Sequence, residues 1–151
     1  MKAIILAAGK GTRMKSELLK VLHCVAGKPI LGYVIDTVNN LGADQIFLVV
    51  GHQADQVKIQ HLESNIAFVD QPEQLGTGHA VMQVEPLLDL SKDEQIIVLA
   101  GDCPLIEKET LESLSAMHKE SNSVATILTT EMKDPGNYGR IVRGASGSIL
   151  G

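Results

Sequence analysis

The reading turns on Ile5–Lys20, ILAAGKGTRMKSELLK. Ile5 and Leu6 close a short apolar run that begins near Lys2. Gly9 and Gly11 then form a G-x-G pair, and Arg13 and Lys20 follow. Lys10, Arg13, Lys15 and Lys20 put four cations into one loop directly behind the first predicted strand. Glycine lets the backbone approach a ligand closely and offers N–H groups to anionic oxygens. In an open α/β sheet, ligands bind outside the carboxyl ends of the strands. The stretch therefore reads as a strand opening into a cradle for an anion, and the remainder of the chain has to supply the sheet.

The pattern beyond it alternates. Lys2–Leu6 predicts a buried strand. Pro29–Leu41 predicts a helix, with proline in its first turn, Ile30, Val34, Ile35, Val38 and Leu41 at helical spacing, and Gly42 closing it. Gln45–Val50 is a second strand, Ala54–Glu63 a helix, and Ile66–Val69 a short strand. Thr77–Leu88 is a helix that Pro86 kinks or ends. Gln95–Ala100 is a further apolar strand. Lys108–Lys119 is a helix with Leu111, Leu114 and Met117 on one face. Val124–Thr129 predicts a strand, and the tail a β-hairpin around Pro135–Gly136. Strand alternating with helix predicts an α/β fold, with a mainly parallel, mixed central sheet flanked by helices.

Composition agrees. A chain of 151 residues suggests one domain. Of these, 44% are hydrophobic, yet there are only two Phe, two Tyr and no Trp, so the core must be aliphatic. That suits β-branched parallel strands covered by helices. Thirteen Lys and Arg against 18 Asp and Glu give a formal charge of −5. This argues against nucleic-acid and membrane-surface partners, which favour a basic excess. A local basic loop on an acidic chain suits a small anion. Cys24 and Cys103 stand far apart with no metal-ligand spacing, and a reducing, cytoplasmic setting is expected. His23, His52, His61 and His118 show no pair spacing for a metal, and His79 reads as structural.

Three phosphate loops compete for Gly9–Lys15. A dinucleotide fingerprint, G-x-G-x-x-G, fails at Met14 and lacks an acid near Ile30. A Walker loop needs G-x-x-x-x-G-K-[ST], which GKGTRMKS does not supply. A nucleotidyltransferase loop, G-x-G-T-R-M followed by lysine, fits without a gap.

Four blocks in order, LAAGKGTRMKS…LLKVLH, QPEQLGTGHAV, LAGDCPLI and NYGRIVR, resemble the sugar-nucleotide pyrophosphorylases. The resemblance covers essentially the whole chain. It is strongest to the uridylyltransferase domain of the bacterial bifunctional N-acetylglucosamine-1-phosphate uridylyltransferase / glucosamine-1-phosphate acetyltransferases. It implies a Rossmann-like, GT-A-like nucleotidyltransferase fold. It also implies that the phosphate of N-acetylglucosamine 1-phosphate attacks the α-phosphate of UTP, giving UDP-N-acetylglucosamine and pyrophosphate with Mg²⁺. Because the attacker is already an anion, catalysis is positioning and charge stabilisation.

The resemblance also implies roles. Arg13 holds the outer phosphates, and Lys20 faces the α-phosphate and the sugar phosphate. Leu6, Ala8 and Gly9 meet base and ribose through backbone, with Gly11 and Thr12 in the same loop. Gln71 and the backbone of Gly76 read uracil, with Thr77 beside them and able to cap the next helix. Asp102, at the end of an apolar strand, holds magnesium, which prefers oxygen ligands and often uses one or two carboxylates. Gly139 meets the sugar. Cys103 reads as a small packing residue.

Two positions depart from the family. Leu19 replaces a usual proline, so Lys20 is expected to be less firmly pre-organised. Ala100 stands where some relatives carry tyrosine. Further family residues for sugar and metal match positions beyond Gly151. A truncated, monomeric domain with a nucleotide half-site and little turnover is therefore expected, from a parent that forms a homotrimer through an acetyltransferase β-helix. Cytidylyl-, guanylyl- and thymidylyltransferases share the glycine–arginine loop, and a non-catalytic nucleotide-binding module could use the same fold.

Overall fold

Four apolar runs become the strands of one parallel sheet: β1 (Lys2–Leu6), β4 (Gln45–Val50), β5 (Ile66–Asp70) and β6 (Ile96–Ala100). The computed structural model describes residues 1–9, 11, 14–51, 53–60, 65–89, 91, 93–145 and 147–150. The strand order is β5-β4-β1-β6. Ile5 lies opposite Leu48 on one side and Leu99 on the other. Leu6 pairs with Val49 and Ala100, and Val50 with Asp70, so the four strands finish together at one edge.

The core follows from side-chain alternation along these strands. Ala3, Ile5, Ile46, Leu48, Val50, Ile97 and Leu99 face one side. They pack there with Leu31, Val34, Ile35 and Val38 of α1 (Ile30–Asn40), Val57 of α2 (Ala54–Gln60) and Leu111 of α4 (Lys108–Ser121). Ile4, Phe47, Val49 and Val69 face the other side with Ala80 of α3 (Thr77–Met82) and Val84. The central strands β1 and β4 are covered on both faces, whereas β6 buries only one, with Ile96 and Val98 40% and 46% exposed on the other. No helix among the described residues is long and apolar enough to cross a membrane.

The helix ends show local chemistry at work. Pro29 stands at the N-cap of α1, one position before the first turn, at φ −54°. Val34, Ile35 and Val38 of the predicted stripe are buried, and Leu31, one turn before Val34 and Ile35, is buried on the same face. Gly42, at φ +83°, closes α1, and its N–H donates to Asn39 O at 2.9 Å. α3 is shorter than predicted. It stops at Met82, and Pro86 falls in a separate 3₁₀ turn, Glu85–Leu87. The described part of α2 ends at Gln60, and residues 61–64 lie outside the described residues. Met117 is 60% exposed, so only Leu111 of the predicted α4 face is fully buried.

Three expectations fail, for related reasons. Val124–Thr129 is not a strand, and Val124 is fully exposed. A β-prone sequence is a strand only when a neighbour takes up its hydrogen bonds, and no described segment pairs with it. A cavity of about 690 Å³, lined by Ile97, Leu99, Leu114, Val124 and Leu128 among others, separates it from β6. Pro135–Gly136 makes a tight turn, with Tyr138 N donating to Pro135 O at 2.9 Å, but no hairpin. The pairing in the tail is further on, where Arg143 bridges Ile149 around Gly147. The described central sheet is wholly parallel rather than mixed. The antiparallel pair is a separate ribbon, β2 (Cys24–Val25) with β3 (Lys28–Pro29).

Candidate active site

The site is built at the edge where the strands end. Backbone bonds prolong the ladder past the last strand residues: Ala7 N donates to Val49 O at 2.8 Å, Gln71 N to Val50 O at 2.7 Å and Gly101 N to Leu6 O at 2.9 Å. The chain order reverses at β1, with β4 on one side and β6 on the other, which opens a crevice between the ends of β1 and β6. The glycine loop leaves from β1 and Asp102 leaves from β6. Leu6 is half-buried, Ala8 buried and Gly9 exposed, with no neighbouring atom among the described residues within 4 Å of where a Gly9 side chain would begin.

Two glycines show why side chains are missing here. A Cβ on Gly101 would lie 3.0 Å from Leu6 O and 3.2 Å from Leu31 Cδ1. Gly11 has φ +60°, and a Cβ there would come within 2.7 Å of Lys20 Cβ. The loop thus folds back onto the lysine it precedes. Gly11→Ala combines a left-handed backbone with a collision. It is expected to cost about 1–3 kcal/mol. A urea melt checks this, and a wild-type midpoint would contradict the packing.

Lys20 opens a 3₁₀ turn, Lys20–Leu22, anchored by buried Val21 and Leu22. Leu19 before it is 6% exposed and takes φ −54°, the angle proline would fix. Burial of the leucine therefore holds the backbone where ring closure would have held it. The Lys20 ammonium Nζ donates to Asp102 Oδ2 across 82 residues of chain, forming an ion pair about one-third exposed on each side. The hydrogen bond from Lys20 holds the Asp102 carboxyl below its usual range, against the opposing effect of partial burial. Asp102 neither caps a helix nor serves only as a turn residue; it is an ionised carboxylate with a cation at its side.

Cys103 is exposed, not packed, with Sγ 3.7 Å from Asp102 Oδ1. Partial burial, then the Asp102 charge, push its thiol upward, away from a reactive thiolate. No group of three or more His, Cys, Asp or Glu able to hold a metal occurs among the described residues. A lone, ionised, part-exposed carboxylate fits a hard divalent cation that retains water ligands, and does not fit a closed all-protein cage.

A second constellation lies at the end of β5. Gln71 is 3% exposed, the one fully buried polar side chain among the described residues. Its Nε2 donates to Gly76 O at 3.2 Å and lies 3.0 Å from His79 Nδ1. Gly76 is the N-cap of α3 at φ +106°, a value that favours glycine, and Thr77 is the first helical residue with no side-chain cap. The expected capping by Thr77 is not observed, because the glycine occupies the capping position. Gly51 joins the two constellations, since a Cβ there would lie 2.8 Å from Ala8 O and 2.9 Å from Gln74 Nε2.

The structure thus brings together Leu6, Ala8, Gly9, Gly11, Lys20 and Asp102, with Gln71, Gly76 and Thr77 along the same edge. Thr12 and Arg13, with Lys10, lie outside the described residues. Gly139 sits in the exposed tail and makes no described contact with the others. The sequence reading missed the engagement of His79 with Gln71 and the close approach of Gly51 to Ala8. A glycine directly after an apolar strand was the available signal for Gly51. His79 is eight positions from Gln71, and only the fold closes that distance.

Comparison with known proteins places this arrangement. The model for the MobA-like NTP transferase domain matches residues 3–145. Bifunctional GlmU proteins of Listeria welshimeri and Halalkalibacterium halodurans are each 50% identical over 147 residues, 97% of this chain. The chain spans 32% of the length of each. Among solved structures, HddC from Yersinia pseudotuberculosis is 31% identical with TM-score 0.60, over 74% of this chain and 53% of its own, and one form is complexed with GMP-PN. Rv0371c from Mycobacterium tuberculosis, in complex with manganese, shares the fold at TM-score 0.62 and 22% identity, over 79% of this chain and 59% of its own. With a glycine loop over the ends of a parallel sheet, and with a family match across nearly its whole length, this chain belongs to the MobA-like NTP transferase domain family of nucleotidyltransferases.

Proposed function

We propose that the chain carries the uridylyltransferase site that makes UDP-N-acetylglucosamine and pyrophosphate from UTP and N-acetylglucosamine 1-phosphate. The observation that carries this reading is the Lys20–Asp102 pair, assembled from distant residues at the crevice beneath the glycine loop. The likeness to GlmU proteins at 50% identity supports a nucleotidyltransferase, and the run Gln74–His79 is what points to uridine and this sugar. Asp102 would hold Mg²⁺, which would supply positive charge to the phosphates.

The remaining work falls to the chain. Lys20 already faces an anion, and a bound phosphate takes over from Asp102 as its counter-ion. Arg13 neutralises the outer phosphates. The backbone of Leu6, Ala8 and Gly9 seats base and ribose, and Gln71 and Gly76 read the uracil edge. Gly139 would approach the sugar. The sugar phosphate needs no general base, so the site needs cations and alignment rather than a proton acceptor. A cytoplasmic protein supplying this sugar nucleotide to cell-envelope polymers fits the reading, as does a longer parent that also acetylates glucosamine 1-phosphate and assembles as a trimer.

A second reading, a different nucleoside triphosphate, draws on HddC, one structure of which is complexed with GMP-PN. Thermal melts with UDP-N-acetylglucosamine, UDP-glucose, CDP and GDP-mannose separate the two. A ligand that binds only the native state raises the midpoint by mass action. The largest rise is expected with UDP-N-acetylglucosamine. A larger rise with GDP-mannose or CDP would replace the uridine assignment.

A further inference from the structure

We infer that His79 is a positioning residue for base choice, acting by locking the amide of Gln71. The inference rests on the reading of Gln71 as the residue that meets the base. An amide is ambidextrous: free to turn over, it can present either its oxygen or its NH₂ group to a ligand. Such a glutamine would serve uracil, whose N3 is a donor, and cytosine, whose N3 is an acceptor, about equally. Discrimination requires that the amide be held one way round.

The hydrogen bonds around Gln71 do this. Its Nε2 donates to Gly76 O at 3.2 Å, which fixes that atom as the nitrogen. The second hydrogen of the same Nε2 points at His79 Nδ1, 3.0 Å away. A neutral imidazole accepts on one nitrogen and donates from the other, so the ring proton belongs on Nε2. On that side Gln83 Nε2 stands 3.1 Å from His79 Nε2 and donates to His79 O at 3.2 Å. The ring cannot accept at both nitrogens, so one of the two amides must present oxygen. Gln71 is buried, and turning it would set its oxygen against the carbonyl oxygen of Gly76 at the cost of the bond it now donates there. Gln83 is half-buried at the end of α3, where water can replace its bond to His79 O. The Gln83 amide is therefore the one that turns over, giving up the bond from its Nε2 to His79 O so that its oxygen meets Nε2–H, and Gln71 stays locked.

With both amide hydrogens spent inside the protein, Gln71 has only Oε1 to show. No described residue donates to it, and it is not among the sealed atoms that lack a partner. A locked acceptor pairs with the N3–H of uracil and opposes the lone pair of cytosine N3. Removing the lock leaves one bond, to Gly76 O, to be broken when the amide turns. The preference then falls by about tenfold, the net worth of one hydrogen bond.

The test is titration calorimetry of this chain with UTP and with CTP at one fixed Mg²⁺ concentration, read as the ratio of the two affinities. Each variant is first checked for a cooperative melt. His79→Phe removes the acceptor and is expected to lower the UTP preference about tenfold. His79→Asn and His79→Gln form a polar pair that differs in reach. Asparagine places an oxygen near the position of Nδ1 and should restore the preference, whereas glutamine places it near Nε2 and should not. Gln83→Ala should leave the ratio unchanged. A wild-type ratio in both His79→Phe and His79→Gln would overturn the inference, and so would an asparagine variant as unselective as the glutamine one.

Gln71→Ala separates the premise from the inference. If it abolishes the preference while the His79 variants keep it, Gln71 reads the base and only the role of His79 falls. If it leaves the preference intact, or if the wild-type chain shows none, both fall together.

Discussion

If the chain carries the proposed uridylyltransferase site, asparagine in place of Asp102 is expected to lower metal-dependent pyrophosphate release by about a hundred- to a thousandfold, the usual loss when one preorganised charge-stabilising group is removed from a transition state. Asparagine keeps the shape and loses the charge, so a divalent cation loses its carboxylate while the turn after β6 stays intact. Lys20→Met should cost a similar factor, because the phosphate then loses its cation. The two losses should not multiply, since the groups serve one phosphate cluster and are paired at rest. A steady-state assay over a range of Mg²⁺ checks this, and turnover within threefold of wild type in either variant would remove that residue from the mechanism.

The resting pair also has a pH signature. The folded-state pKa of Asp102 is depressed by Lys20, so the pair contributes stability above the unfolded carboxylate value, near 3.9. That contribution is lost as pH falls through the lower folded value. Asp102→Asn should therefore flatten the acid limb of stability against pH, while near neutrality its effect stays small for a pair one-third exposed.

Leu48→Ala should destabilise the chain by about 2–5 kcal/mol, the range for a leucine removed from a packed core. Leu48 is wholly buried in β4, with β1 and β5 on its two sides, in the cluster that α1 covers. The neighbours are held by ladder hydrogen bonds and cannot collapse into the space. Urea unfolding should show a lower midpoint at an unchanged slope. Leu105→Ala, at a residue 90% exposed, should stay within about 0.5 kcal/mol. A Leu48 variant as mild as the Leu105 one would contradict the assigned core.

The four sheet strands were legible because each is a short apolar run bounded by a glycine or polar break, and burial on both faces demands that pattern of the central pair, β1 and β4. The glycine loop was legible because backbone–phosphate contact restricts which residues fit, leaving a recognisable string of small and cationic residues. Val124–Thr129 was misread for the opposite reason. Its composition suits a strand, but a strand is a relation between two segments, and the sequence of one cannot supply the other. The helix α3 was overextended because Gln83 and Val84 suit a helix as well as a turn, and the proline at position 86 restricts its own neighbourhood without fixing where the helix before it stops.

By itself the sequence determined the α/β alternation, the anion-binding loop at the end of β1, and the kinds of residue able to neutralise phosphate. These depend on local conformational freedom, side-chain periodicity and charge, all written residue by residue. Tertiary structure alone decided that Lys20 meets Asp102, that Leu19 holds its backbone by burial, and that Gln71 is fastened between Gly76 and His79. Those are contacts between segments set by sheet register and helix packing. Their energy comes from excluding water around particular pairs, and no single stretch of chain carries that information.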